Sequence, residues 1–443
     1  MLSSILIFIF LCFIMDNKLV ECLKASGTII TPSRRLAGSL LTQTNRDFGK
    51  VQGVWPTPRI FALSDWLQAV WQQLEIQGVL NKQLLQPSQA LLAWTAVIRN
   101  FAISHKLLNV NITATIAMQA WGILNDWRVV DTWHETPLNL DQETFKEFAT
   151  AYQEWLDIHQ AIDNAQLLTT IQPYFSTAYQ VAWQRVSPVK HLVFYGFEEI
   201  NPRLQQSVEA LIADQWQILF VEPTEKAPAI IGRADFYDQE QELLAAMQFA
   251  KSRMQSGKKN IGIVVPDLAN QRKWVDKTLK EVFAPLALCE PQAKVCADYN
   301  ISAAVPLDHY PIIHSAFLLL KMIKGKFSLS DYFHTINAPF FAWDAKALSD
   351  IMQHYEQLKK NSQKTLTLTK LSQSITEPTL REIVLKLIAF TQSMSKQSYS
   401  KWAQTFQNIL TLAGWPGLRP LNSIEHQAVS RFYIALDELR LSD

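Results

Sequence analysis

The feature that most constrains the fold of this chain is the order of three consecutive segments. An apolar segment is followed by a segment of helical pattern and then by a second apolar segment. Residues His191–Tyr195 and Gln217–Val221 are largely apolar runs, and Pro202–Ala213 between them has a helical pattern. Strands buried on both faces have such runs, and a strand–helix–strand order favours parallel pairing. Residues 27–32 and 58–63 carry the same strand signal. We therefore expect an α/β fold with parallel sheets flanked by helices.

Helical segments follow the predicted strands and also separate them over long stretches. Ser33 is a candidate N-cap of the helix after the first strand, and Ser64 of an amphipathic helix over residues 64–74. From about residue 84 to 185 the pattern is almost purely helical, which indicates an all-helical insertion. We predict that residues 27–225 form one α/β domain around this insertion.

A second α/β pattern occupies residues 226–443. From about residue 310 onward it is helical, and we interpret that part as an incomplete helical insertion. The segments that precede it are an extended stretch at 233–237, a helix at 240–256, a strand at 259–265 and a helix at 268–282.

The scarcity of glycine excludes the usual phosphate-binding loop. The 443 residues include 13 glycines, and the pattern G-x-x-x-x-G-K-[ST] does not occur in the sequence. Such a loop presents several backbone N–H groups to phosphates, which requires glycine. We therefore expect neither ATP hydrolysis by this machinery nor a bound cofactor.

Charge and cysteine content are unremarkable for a cytoplasmic protein. With 41 basic and 40 acidic residues the formal charge is +1, so binding to nucleic acid requires a local basic patch. No C-x-x-C pair occurs, and the cysteine spacing is poor for zinc. We expect reduced thiols and no metal site. The four cysteines are Cys12, Cys22, Cys289 and Cys296.

An apolar run occupies residues 5–15. It is shorter than the ~20 residues that span a bilayer. No basic residue precedes it, and the polar residues 16–18 follow without a signal-peptide cleavage site. We interpret residues 1–26 as an apolar leader with a mis-assigned start, on the hypothesis that Met15 is the true start and that residues 1–14 are translated upstream sequence. If Met15 is the start, no membrane partner is expected. The alternative is that the apolar run is an uncleaved membrane anchor.

Charged residues at two predicted strand ends are candidate binding residues. Arg34 and Arg35 lie at a helix start, where they either bind a phosphate group or are solvated charges of the first turn. Glu198 and Glu199 follow a strand through Gly196, the position of a metal-linked acidic residue in a nucleotide-binding sheet. The alternative for this acidic pair is a solvated turn.

Histidine and tryptophan side chains are interpreted as structural. The isolated histidines are expected to be core or surface residues rather than metal ligands; they are His191, His309 and His314. The tryptophans at helical spacing are expected in the core, with base stacking as the alternative. They are Trp66, Trp71, Trp94, Trp121 and Trp127.

Several segments resemble superfamily I helicases of the UvrD/RecB kind. Residues 233–250 and 260–272 resemble the opening of the second motor domain, with Arg272 where active helicases place an arginine near the nucleotide phosphates. Residues 191–202 resemble the Walker B region of AddB-type subunits, in a degenerate form. The family that the chain resembles most is the AddB-like "probable DNA repair protein" group. Segments similar to its recurring signatures are 28–37, 55–58, 300–302, 305–307, 310–311 and 414–417.

The resemblance implies an inactivated helicase scaffold that binds DNA ends or single strands without hydrolysing ATP. Members are expected to end in a RecB-type PD-(D/E)xK nuclease domain, which would make the whole protein an exodeoxyribonuclease. No convincing D…ExK arrangement occurs here, so we expect this chain to resemble an amino-terminal half and not to be catalytic by itself. A helicase or nuclease partner subunit is implied too. Candidate phosphate contacts are Arg34, Arg35, Arg59 and Arg272.

Two other classes of function stay open at the level of the sequence. One is a truncated gene product without autonomous activity, which a downstream reading frame for a nuclease domain would support. The other is a protein-interaction scaffold whose tryptophan-rich helices dock a partner subunit. An exposed apolar patch larger than about 400 Å² on those helices would favour the scaffold.

Overall fold

The computed structural model of the chain divides into two compact units. The sheet unit comprises Ile14–Ala227 and Glu438–Asp443, and the helical unit comprises Met1–Phe13 and Pro228–Asp437. The structure describes residues 6–9, 16–52, 56–103, 105, 109–129, 132–133, 139–176, 180–223, 232–258, 261–286, 299–302, 304–341, 345–360, 365–375, 378–392 and 396–440.

The described strands and helices alternate at first and become mainly helical later. The strands are β1 (Leu6–Ile9), β2 (Thr28–Thr31), β3 (Ile60–Ala62), β4 (Gln83–Leu84), β5 (Ala161–Ile162), β6 (His191–Tyr195), β7 (Gln217–Val221), β8 (Ile261–Val264), β9 (Phe327–Ser328) and β10 (Thr365–Leu366). The helices are α1 (Asn17–Lys24), α2 (Arg34–Gln52), α3 (Leu63–Ile76), α4 (Pro87–Phe101), α5 (Val110–Trp127), α6 (Leu140–Ile158), α7 (Leu167–Ile171), α8 (Gln180–Gln184), α9 (Pro202–Ala213), α10 (Gln239–Gln255), α11 (Leu268–Phe283), α12 (Pro311–Lys324), α13 (Leu329–Ile336), α14 (Ala345–Lys360), α15 (Leu368–Ser374), α16 (Pro378–Gln392), α17 (Tyr399–Leu412) and α18 (Ser423–Arg440).

Four parallel strands form the sheet, in the order β3-β2-β6-β7. Ile29 of β2 pairs with Ile60 of β3 on one side and with Val193 of β6 on the other, and Val193 pairs with Leu219 of β7. Every residue of β2 is buried, as expected for an interior strand of a parallel sheet. The predicted α/β class is confirmed, and β6, β7 and α9 have the predicted bounds.

Helices cover both faces of the sheet because successive residues of each strand point to opposite sides. Ile30 and Phe194 lie in one core with residues of α3, α7 and α9. Ile29 and Val193 lie in a second core with residues of α1 and α2. The continuous apolar character of the strands therefore follows from burial on two faces rather than one.

The starts of α2 and α3 are built differently. Ser33 caps α2 as predicted, since the backbone N–H of Leu36 donates to its Oγ at 3.3 Å. The predicted cap at Ser64 is wrong: α3 begins at Leu63, the cap position is Ala62, and no side chain caps it. Strand β3 runs into α3 without a turn, so Ser64 lies inside the helix. The predicted apolar stripe of α3 is buried: Trp66, Leu67, Val70, Trp71 and Leu74.

The predicted helical insertion has two parts. Helices α4, α5 and α6 enclose their own core, in which the Trp94 ring stacks on Tyr152 at 4.0 Å and lies edge-on to Trp121 at 6.3 Å. Residues of α7 and α8 instead pack in the sheet core, where Phe175 stacks on Trp66 at 5.1 Å. The predicted core role is therefore confirmed for those tryptophans, whereas Trp127 is 54% exposed.

In the helical unit, α10, β8 and α11 lie close to their predicted positions. Strand β8 pairs with β1 in antiparallel register, Leu6 opposite Val264 and Ile9 opposite Ile261. Residues 233–237 form no strand. The expectation of a second parallel sheet is therefore not met among the described residues, because β8 lacks a neighbouring parallel strand there.

The region of α12 to α18 has a separate apolar core. Ile312, Ile313 and Trp415 are buried in it, and the Trp415 indole N–H donates to the Ile312 carbonyl at 3.0 Å. This core contains residues from β9 and β10 as well as from the helices. The predicted helical character of the region after residue 310 is confirmed by the described elements.

The predicted leader overlaps elements of both units. Residues 6–9 form β1, and α1 begins at Asn17 with Asp16 as its cap. Leu19 and Cys22 of α1 are buried in the sheet unit, so this unit begins before the predicted residue 27. The hypothesis that Met15 is the start stays a prediction. No described helix has both the length and the apolar character needed to cross a membrane.

Candidate functional site

The sheet has a topological switch point between β2 and β6. The chain leaves β2 through α2 toward β3, and it leaves β6 through α9 toward β7 on the other side. The two connections therefore diverge and their helices cover opposite faces. In open parallel sheets, ligands bind in the crevice beyond the carboxyl ends of the strands at such a point. This carboxyl edge is the candidate site.

The turn from β2 into α2 is closed by side chains. The Thr31 hydroxyl donates to the Ser33 carbonyl at 3.0 Å. The Phe61 carbonyl oxygen lies 3.2 Å from the same Thr31 hydroxyl oxygen. Pro32 has no N–H, and the Ser33 hydroxyl already accepts from Leu36. A short turn of this kind cannot present the row of N–H groups that a phosphate loop offers. The geometry agrees with the sequence pattern.

Gly196 ends β6 directly beside α2. Its φ is +76°, its N–H donates to the Val221 carbonyl at 3.1 Å, and a Cβ there would lie 2.8 Å from Cδ2 of Leu36. The first turn of α2 therefore packs against the end of β6 through an apolar side chain. Glu198 and Glu199 follow and are exposed. Their exposure matches the solvated-turn alternative.

Arg34 is held in an ion pair at the same edge. Its Nε donates to Asp65 Oδ1 at 2.8 Å and Oδ2 at 3.0 Å, and its Nη2 donates to Oδ1 at 2.6 Å. The hydrogen bond with Asp65 and its charge raise the pKa of Arg34. Asp65 lies in the first turn of α3, so the pair joins the segments that follow β2 and β3. Arg35 is exposed and pairs with no described acidic residue.

The other two predicted phosphate contacts lie elsewhere. Arg59 precedes β3, and its carbonyl accepts from the Ile29 N–H at 2.9 Å, which places it at the amino edge of the sheet. It is therefore separated from Arg34 and Arg35 by the length of the strands. Arg272 belongs to α11 of the helical unit, where its buried Nε has no described partner. Within the sheet unit, the structure brings Arg34 and Arg35 together and places Arg59 at the opposite edge.

No described group of three or more His, Cys, Asp or Glu side chains could hold a metal ion. His309 and His314 are exposed, and His191 begins β6 with its Nδ1 beside Gly27. Cys22 is a free, buried thiol whose pKa is raised to about 12 by burial. Cys12, Cys289 and Cys296 lie outside the described residues.

A buried polar cluster in the sheet unit was not identified from the sequence. The carboxylate of Asp163 is 4% exposed and accepts from the Tyr152 hydroxyl at 3.1 Å and from the Ala165 N–H at 3.0 Å. Burial raises its pKa. Arg203 pairs with Asp126 and donates to the Ala165 carbonyl. Asp163 precedes α7, and an aspartate before a helix can accept hydrogen bonds from the backbone N–H groups that follow it. Its position was therefore the sequence signal that could have indicated this cluster.

Comparison with known proteins leaves the site without a named relative. No family model matches the chain, and no curated protein matches it at a significant level.

Proposed function

We propose that the chain is a DNA-binding scaffold of the AddB-like kind, an inactivated helicase that binds DNA ends or single strands without hydrolysing ATP. The observation that carries this proposal is the carboxyl edge of the parallel sheet. Nucleotides bind at such an edge in related architectures, but here Leu36 packs against Gly196 beside a turn without phosphate-loop glycines. A motor-like sheet without a phosphate cradle suits a scaffold rather than an ATPase.

Arg35 is the favoured DNA contact at this edge. It lies exposed in the first turn of α2, whereas Arg34 is engaged by Asp65 and positions the same turn. Glu198 and Glu199 would repel a phosphate backbone, so the DNA is expected on the side of α2. Because the net charge is +1, the attraction has to be local.

The proposal includes a cytoplasmic location and a partner subunit. Metal-dependent cleavage and ATP hydrolysis would come from a helicase or nuclease partner or from a further domain, because this chain lacks the motifs for both. Arg59 and Arg272 stay candidates for contacts away from the carboxyl edge.

DNA binding is tested on the full chain by fluorescence anisotropy. A labelled single strand and a blunt-ended duplex are titrated at about 50 and 200 mM salt, and the affinity is expected to fall steeply as salt rises. Arg35→Gln is expected to weaken binding about three- to tenfold and to lower the salt slope by about one. No ATP hydrolysis is expected with either DNA.

Arg46→Gln is the matched control. Arg46 is exposed on the same helix, ~17 Å further along its axis, and its loss is expected to leave the affinity nearly unchanged. Absence of binding at about 50 mM salt, or binding that is independent of salt, would contradict the proposal. An equal loss in both variants would contradict the role of Arg35.

A second candidate function is a protein-interaction scaffold, which is favoured by the surface of α5. Its exposed apolar residues recur at intervals of four, seven and four and so share one face. They are Ile112, Ile116, Ile123 and Trp127, each more than half exposed. Sedimentation velocity over a range of concentrations tests whether this face seats a second copy. Self-association that Ile116→Glu abolishes would support this function, and a monomer at all concentrations would count against a second copy.

A further inference from the structure

A cavity of about 460 Å³ lies in the sheet unit, and neither Arg34 nor Arg35 lines it. Its walls come from the ends of α5 and α6, from α7 and the short 3-10 helix after it, and from α9. Ile162 and Pro173 supply its apolar lining. The volume falls within the ~300–1,000 Å³ of small-molecule sites. The cavity is therefore large enough for a phosphorylated sugar.

Side-chain amides dominate the lining. Gln166 Nε2 donates to Gln153 Oε1 at 2.6 Å, and Gln172 Oε1 accepts from the Ser207 hydroxyl at 3.2 Å. These bonds engage three of the amides and leave the Nε2 of Gln172 as a donor. Thr169 and Thr170 add hydroxyl groups. The five lining amides are Asn125, Gln153, Gln166, Gln172 and Gln206. Mixed donors and acceptors of this density match a ligand rich in hydroxyl groups.

The charge of the lining is positive. Lys82 and Arg128 line the cavity, and none of the described lining side chains is a carboxylate. Lys82 is partly compensated by Asp157 at 3.7 Å, and the planar guanidinium of Arg128 matches a phosphate better than an ammonium does. Arg128 ends α5 with a φ of +57°, a conformation in which glycine or asparagine is usual.

We propose that this cavity binds a small phosphorylated sugar, either free or as part of a mononucleotide. Arg128 binds the phosphate, and the amides of Gln172 and Gln206 bind the sugar hydroxyls. The bidentate geometry of a guanidinium suits a phosphate group. The lining of this site does not include Arg35, and the proposal does not depend on the DNA contact there.

The test is isothermal titration calorimetry on the full chain. The probes are ribose 5-phosphate, adenosine 5'-monophosphate and inorganic phosphate. Ribose 5-phosphate is expected to bind with a Kd below about 1 mM. Arg128→Asn keeps a residue suited to positive φ and is expected to weaken binding of every probe about tenfold or more. Gln206→Ala is expected to weaken ribose 5-phosphate about fivefold and to leave inorganic phosphate unchanged.

Arg99→Asn, an exposed arginine near the end of α4, is the control and is expected to bind as the unaltered chain does. If adenosine 5'-monophosphate binds more tightly than ribose 5-phosphate, the ligand is a mononucleotide. If ribose 5-phosphate binds more tightly, the ligand is the free sugar phosphate. Absence of heat from all probes at about 5 mM would overturn the proposal. So would unchanged binding in a folded Arg128→Asn variant or an equal loss in Arg99→Asn.

Discussion

Gly196 illustrates at the residue scale how the backbone and its neighbours select one amino acid. Its φ is +76°, and a Cβ would approach Cδ2 of Leu36 to 2.8 Å. Gly196→Ala is expected to lower the free energy of unfolding by about 1–3 kcal/mol from the backbone alone. The crowded Leu36 adds to this loss because α2 has to shift. Urea unfolding followed by tryptophan fluorescence measures the change.

Gly38 provides the matched comparison. It lies inside α2, and apart from its chain neighbours and the backbone of its own helix no atom lies within 4 Å of the position that a Cβ would take, so alanine meets no obstacle there. Gly38→Ala is expected to raise the free energy of unfolding by about 0.5–1 kcal/mol, since alanine loses less backbone entropy in a helix. Equal effects of the two substitutions would contradict the role assigned to the positive φ of Gly196.

At the scale of one element, the start of α18 depends on a charged cap. Glu425 and Asn422 form a capping box, with each side chain accepting from the other residue's N–H at 2.9–3.0 Å. Arg419 donates to the same carboxylate, from Nη1 to Oε2 at 3.0 Å. The hydrogen bond from Arg419 is the largest of the effects that lower the pKa of Glu425 below its ordinary value of 4.5.

Glu425→Gln keeps the capping box and removes the charge. Because the folded state holds the proton less tightly than the unfolded state, the ion pair stabilises the fold fully above pH 4.5. This stabilisation is lost as the pH falls through the lowered pKa. The variant is therefore expected to be about 1 kcal/mol less stable than the unaltered chain at pH 7, and this difference is expected to be smaller at pH 3. Urea unfolding at both pH values measures this difference.

Arg419→Gln is expected to reproduce the pH dependence of Glu425→Gln, since both variants break the same pair. A double variant should then lose little more than either single variant. A difference from the unaltered chain that is as large at pH 3 as at pH 7 would show that the charge does not stabilise α18.

At the scale of the whole molecule, each unit has its own apolar cores. The cores of the sheet unit draw on residues between Leu19 and Val221, and those of the helical unit on residues between Leu243 and Leu436. A fragment of residues 16–223 is therefore expected to fold alone. Its urea transition should be cooperative, with tryptophan emission shifted to the red on unfolding.

A fragment of residues 16–200 is the control for this prediction. It lacks α9 and β7, which contribute Leu204 and Val221 to the two cores of the sheet. This shorter fragment is expected to lose the cooperative transition. Red-shifted emission from the longer fragment in the absence of urea would contradict the assignment of an independent sheet unit.

Some local features were predictable because short-range chemistry decides them. The bounds of β6, α9 and β7 follow from apolar runs and from Asn201, whose side chain caps α9 by accepting from the Leu204 N–H at 2.8 Å. The start of α3 was not predictable from Ser64, because β3 continues directly into the helix. The pairing of β8 with β1 joins segments about 250 residues apart, which no local pattern encodes.

The sequence by itself determined the α/β class, the helical insertion and the lack of a phosphate loop. These properties depend on apolar periodicity and on glycine, which act over a few residues. Only the tertiary structure decided that Arg34 is bound to Asp65, that Arg59 lies at the opposite edge and that five amides surround one cavity. Contacts of this kind depend on strand order and helix packing, which bring distant residues together.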